Sequence, residues 1–246
     1  MAVYTKMPYT AADAQSAGWH ALGDCLPNLG IPYTQDSSGP TESEPITIFF
    51  TPGGQAAGVG VTVFGSMPDN LVSKGFFMPT DTDDQYFIVT TYRSADDVCS
   101  SATFEYPLGD QIVVNPMEGG ANFHIPLNAS DALAFGYQQG SCFSGMGNHF
   151  FFDLSLGSGK MSWEGKNLMP IVPMYDLANG GRINAVFFAS TVRQQTILPP
   201  SYNEWEPVPL LDALMCKNWC NKDCTFHDTS LWSTLHVYFR DRSLAT

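Results

Sequence analysis

Two stretches of this chain, far apart in order, repeat one another. Pro8, Ala11, Asp13, Ala14 and Gly18 meet Pro126, Ala129, Asp131, Ala132 and Gly136 without a gap, and Trp19 faces Tyr137. After one gap, Gly23 and Cys25 meet Gly140 and Cys142, and Gly30 meets Gly147. A repeat of this kind constrains the fold more than any single motif, because each copy must bury its own core in the same way.

Local signals agree with the alignment. Thr10 and Asn128 are both N-cap residues, each followed by a short helical stretch that ends near a glycine. Asp13 and Asp131 fall in the first turn, where a carboxylate suits the helix dipole. Further on, Ile46–Phe50, a turn at Pro52, Gly53 and Gly54, and Gly58–Phe64 read as a β-hairpin. Ile171–Tyr175, a turn at Asn179, Gly180 and Gly181, and Ile183–Phe188 read the same way. Val59, Val61 and Val63 alternate as in a half-buried strand. Last strands are expected near Gln111–Val114 and Leu235–Phe239. The chain is therefore assigned to the α+β class, as two diverged, strand-rich copies of a unit of ~120 residues. Each copy begins with a short helix and continues in antiparallel strands. The breakers Asn115, Pro116, Gly119 and Gly120 mark the joint, giving lobes 1–118 and 119–246.

The cysteines carry the same period. Cys25 and Cys99 stand 74 positions apart, and so do Cys142 and Cys216. Two copies that each keep one long-range bridge produce this spacing, so Cys25–Cys99 and Cys142–Cys216 are the predicted pairs. Cys220–Cys224 is then the third. A zinc cluster of Cys216, Cys220, Cys224 and His227 is the competing reading. Cysteines at four-residue intervals on one helix spread along ~12 Å of axis and cannot surround one ion. Disulfides point to an oxidising compartment, and the sequon Asn128-Ala129-Ser130 supplies a glycosylation site, so an extracellular chain is expected. Residues 1–6 hold no apolar signal-peptide core, as in a mature chain carrying an initiator Met.

Charge narrows the partners. Eleven Lys and Arg against 24 Asp and Glu leave a net charge of −13. Such a chain cannot displace counterions from phosphates, which argues against nucleic acid and acidic membrane surfaces. No apolar run approaches the ~20 residues of a membrane-spanning helix.

The two copies differ most in their histidines. His149 stands where the first copy has Pro32, and His124, His227 and His236 also belong to the second copy or its entry. A strand over Phe150–Leu154 would put His149, Phe151 and Asp153 on one face, and His with Asp two steps apart can serve one metal. His149, Asp153, His124, His227 and His236 are thus the candidate metal ligands, set against ordinary strand histidines bonded to their neighbours. Asp81, Asp83 and Asp84 offer oxygens to calcium but lack the Gly and distal Glu of an EF-hand, and read as a solvated turn. Tyr202 and Trp205 lie in a Pro-rich loop that is hard to bury, and mark a ligand edge. No nucleophile elbow, zinc-protease helix, P-loop or dinucleotide fingerprint occurs.

Two functions follow. The first is a secreted two-lobe binding or structural protein, taking a small molecule, a glycan or an extracellular protein in the second lobe or the inter-lobe cleft. The second is a metal-dependent enzyme, hydrolytic or oxidative, built on the second-lobe histidines and a divalent metal.

Overall fold

The computed structural model describes residues 7–101, 109–143, 146–152, 156–157, 160–161, 169–190, 206–208 and 232–239. The chain divides into two compact units, one running to His124 and the other from Ile125, with Pro68–Leu71 counted in the second. Each is organised around its own antiparallel sheet. The fold is strand-rich, with few and short helices.

The first unit opens with α1 (Ala11–Ser16), followed by β1 (His20–Ala21), β2 (Ile31–Thr34), β3 (Ile46–Phe50) and β4 (Ala56–Phe64). After α2 (Asp69–Ser73) come β5 (Met78–Pro79), β6 (Gln85–Thr91), α3 (Ala95–Val98), β7 (Val113–Val114) and β8 (Phe123–His124). The eight-stranded sheet runs β1-β2-β3-β4-β6-β7-β8, and β5 lies along β6. Thr10 caps α1, its side chain accepting from Asp13 N at 3.1 Å. Asp81, Asp83 and Asp84 fall in the exposed turn between β5 and β6.

The second unit contains α4 (Ala129–Phe135), β9 (Tyr137–Phe143), β10 (Gly147–Phe152), β11 (Leu156–Gly157), β12 (Lys160–Met161) and β13 (Ile171–Asp176). It continues with β14 (Arg182–Ser190), β15 (Glu206–Val208) and β16 (Trp232–Tyr238). The six-stranded sheet runs β9-β10-β13-β14-β16-β15, while among the described residues β11 and β12 pair with each other. Asn128 takes the extended N-cap backbone but makes no side-chain cap bond.

The two sheets share several local features. Both hairpins carry a register shift at the same step, between Phe49 and Phe50 in β3 and between Met174 and Tyr175 in β13. Ala11 N donates to Gly54 O at 2.9 Å, and Ala129 N to Gly181 O at 2.8 Å, so each helix is hung from its own hairpin turn. Tyr92 N donates to Ala57 O and Phe239 N to Asn184 O. Gly30 and Gly147 have φ of +110 and +93, and a Cβ there would lie 2.8 Å from Phe50 O and 2.6 Å from Tyr175 O respectively. Only glycine tolerates both the angle and the approach.

Two expectations are corrected. The strand in the position of β16 is β6, which pairs with β4 from Gly58↔Thr91 to Phe64↔Gln85. The strand near Gln111–Val114 shrinks to the two residues of β7, one place further out. Nor is β4 half-buried: Gly58, Gly60 and Thr62 are covered as fully as the valines. The glycines are the reason. A Cβ on Gly60 would meet the Phe87 ring, and the bare backbone lets Phe87 and Phe49 close over that face, with Leu29, Ala57 and Val89 beside them.

The Cys25–Cys99 bridge is present, as the spacing predicts. Cys142 lies exposed on β9, and Cys216, Cys220 and Cys224 are outside the described residues. Replacing Cys25 and Cys99 together by Ser is expected to lower the free energy of unfolding by about 4 kcal/mol, the chain-entropy value for so long a loop. Urea denaturation checks this, and a loss below about 1 kcal/mol would contradict it.

Burial pushes the hydroxyls of Tyr92, Tyr137 and Tyr175 above the ordinary tyrosine range, and Tyr175 also donates to Pro126 O at 2.6 Å. A raised value in the folded state means that folding holds the proton more firmly than the open chain does. The stabilisation is complete below pH ~10 and falls as pH rises past it, where only the unfolded tyrosines ionise. Phenolate absorbance should therefore show these three titrating only together with alkaline unfolding. Titration in a protein that keeps its far-ultraviolet dichroism would refute the assignment.

Candidate functional site

A concavity of the first unit lies at the outer end of its sheet. Thr91, Val113 and His124 are successive cross-strand partners over β6, β7 and β8, so the three side chains leave the sheet on one face. They form the floor of a cavity of about 370 Å³, within the usual size of small-molecule sites.

Polar side chains stand around this floor. Arg93 follows β6 and is only 3% exposed, its Nε donating to Ala56 O at 3.2 Å. Gln111 Nε2 donates to Arg93 O at 2.8 Å, which ties the two sides of the opening together. Asn28 and Asn122 reach the cavity from loops and hold φ of +66 and +44. Asparagine is among the few residues that adopt such angles readily. Pro116 and Met117 give an apolar wall, and Met117 also packs against the Phe49–Val89 cluster. None of the described residues lining the cavity is Asp or Glu.

The register explains Arg93. The shift between Phe49 and Phe50 leaves Ala57 as the extra residue of β4. Its carbonyl accepts from Tyr92 N at 2.8 Å, just past the end of β6. Arg93 comes next in the chain and is held by the adjacent carbonyl of Ala56.

The histidines named from sequence are placed differently. His124 lies on β8 in the first unit, exposed at the cavity, and no second imidazole, thiol or carboxylate lines the cavity among the described residues. His149 and His236 share one face of the second sheet, because His149 opposes Met174, Met174 opposes Ala185, and Phe187 on the same strand opposes His236. They do not meet there. The Phe187 ring stands 5.8 Å from His149 and 5.2 Å from His236. His149 is fully buried, and His236 also stacks on Tyr238. Asp153, His227, Tyr202 and Trp205 lie outside the described residues. Among the described residues no three metal-ligating side chains come together. Asn128 is exposed at the start of α4, its Nδ2 donating to Asp131 Oδ2 at 3.4 Å.

Comparison with family models, with curated proteins and with solved structures finds no match to this chain.

Arg93, Gln111, Asn122 and Asn28 form no sequence motif. The floor is assembled by pairing among three strands, and only the dipeptide of an irregular Asn could have hinted at the rim.

The position of His149 leads to a prediction. Truncating it to Ala empties a fully buried site against Phe187 and should cost about 2–4 kcal/mol by urea denaturation. His236→Ala, at a half-buried site, should cost less than half of that. Equal losses would show that the two rings do not differ in packing as described.

Proposed function

We propose that this chain is an extracellular binding protein composed of two diverged copies of one strand-rich unit, with its small-molecule site on the first copy. The observation that carries the binding reading is the cavity floor of Thr91, Val113 and His124, where a polar rim and an apolar wall converge. Duplication is supported by the shared strand order, by the hairpin shift at the same step and by the helix hung from the second glycine of each turn. A common ancestor explains all three together; accidental convergence would have to produce each separately. The Cys25–Cys99 bridge and the exposed Asn128 sequon support an oxidising, extracellular setting. Among the described residues no helix is long and apolar enough to cross a membrane.

Placing the site on the first copy, not the second, follows from the extra strands. β7 and β8 supply two of the three floor residues, and they have no counterpart among the described strands of the second sheet. The second copy is then a scaffold.

Ala95 is exposed on the cavity's rim, so a tryptophan placed there narrows the cavity without entering the core. A ligand-observed NMR screen of small molecules and short glycans should yield binders to the native protein whose signals are lost with Ala95→Trp at unchanged melting temperature. Binders that are indifferent to Ala95→Trp, or a screen without any, would defeat this reading.

A further inference from the structure

We infer that Asn179 is a site of self-modification, where the backbone nitrogen of Gly180 displaces the side-chain amide and leaves aspartate or isoaspartate, and that the Asp176 carboxylate sets the rate. The site lies in the second unit and is independent of the cavity.

Asn179-Gly180 is the one Asn-Gly pair in the sequence. Both residues are exposed in the turn that joins β13 to β14. In the reaction, Gly180 N bonds to Asn179 Cγ, the Cγ–Nδ2 bond breaks, and ammonia leaves with the proton that Gly180 N gives up. Water then opens the resulting succinimide at either carbonyl, giving aspartate or the longer isoaspartate backbone. Glycine hinders this attack least, because no Cβ shields its nitrogen. Water is the only co-reactant, and an exposed turn admits it.

The turn restrains this chemistry. Asn179 Nδ2, the departing group, donates to the two oxygens of Asp176 at 3.1 and 2.9 Å. Asn179 N donates to Asp176 Oδ1 at 3.1 Å, so side chain and backbone are fixed to one carboxylate. Hydrogen bonds to a charged acceptor are the strong kind, and the loss of ammonia breaks both that Nδ2 makes. Asp176 is itself held in place: it is 1% exposed, and its carbonyl accepts from Gly181 N at 2.8 Å. Conversion sets a second carboxylate against the first where the amide stood, and like charges at that range repel. Because the same turn carries α4 through Ala129 N and Gly181 O, conversion loosens the helix.

The first unit shows what the carboxylate adds. Thr51 stands there in the place of Asp176, its carbonyl accepting from Gly54 N at 2.8 Å. Thr51 Oγ1 accepts from Gln55 N at 3.3 Å, so a hydroxyl suffices to close the turn. That turn is Pro52-Gly53-Gly54 and has no side-chain amide to restrain.

Peptide mapping by mass spectrometry follows conversion at Asn179 during storage at mildly alkaline pH. Native protein, protein unfolded in guanidinium chloride, and the variants Asp176→Thr and Tyr175→Phe are compared. The native protein should convert at least tenfold more slowly than the unfolded chain, and Asp176→Thr at least fivefold faster than native. Tyr175→Phe removes the bond to Pro126 O and weakens the second unit while leaving the Asp176–Asn179 bonds in place, so it should stay within twofold of native. Native conversion as fast as in denaturant, or an Asp176→Thr rate equal to native, would overturn the inference. Equal acceleration by Tyr175→Phe would do the same, because it would report general opening of the unit. Should Asp176→Thr fail to fold, Asp176→Asn replaces it: with one acceptor oxygen in place of two it should convert at least threefold faster than native, and a native rate would again refute the role of Asp176. Converted protein, separated by its added charge, should melt below the unconverted fraction, and equal melting would contradict the clash of carboxylates.

Discussion

An extra residue in one strand of a hairpin turns everything beyond it, and in this protein the extra residue is Ala57. Because β4 advances two positions where β3 advances one, the carbonyl of Ala57 is freed from β3 and captures Tyr92 N. The last residues of β6 are thereby drawn back along β4, and Arg93 is delivered to the carbonyl of Ala56. On the β3 side, the Phe50 carbonyl comes so close to Gly30 that no side chain fits there. Helix α1 is fastened to the same hairpin through Gly54. Helix, loop, sheet and cavity thus take their register from one local irregularity, and the second unit has the equivalent shift with Asn184 in the place of Ala57.

The parts of this fold that were legible in the sequence are local or periodic. Both hairpins, both N-caps and the long-range bridge from Cys25 follow from turn residues, capping residues and equal spacing. The strand pairing was harder to read. Gln111–Val114 looks like a closing strand because it is apolar, yet β6 takes the place beside β4 over seven residues, and β7 keeps only two. Alternation at Val59, Val61 and Val63 suggested one wet face, because a glycine in sequence does not announce the aromatic ring that will cover it. His149 stands out in the sequence because Pro32 takes its place in the alignment of the two stretches. Its setting against Phe187 depends on three strand pairings that no spacing reveals.

The two sheets differ on one face. Following the shared register, Gly60 corresponds to Phe187, Val89 to His236 and Thr91 to Tyr238. In the first unit that face is built of small residues and Phe rings and ends in the cavity. In the second it is filled by large rings, with His149 buried among them. On the opposite faces Val59 matches Val186 and Ile88 matches Leu235, while Val61 matches the buried ring of Phe188.

The bridge between Cys25 and Cys99 has a further meaning once the cavity is in view. Cys25 stands three residues before Asn28, and Cys99 four residues after Ala95, so its two ends reach the two loops that border the opening. Loops tied to one another cannot wander independently, and a rim that is already ordered loses little freedom when something enters. On the proposed binding function, the entropy of shaping the entrance is surrendered when the bridge forms, once per molecule, and not again at each encounter with a ligand.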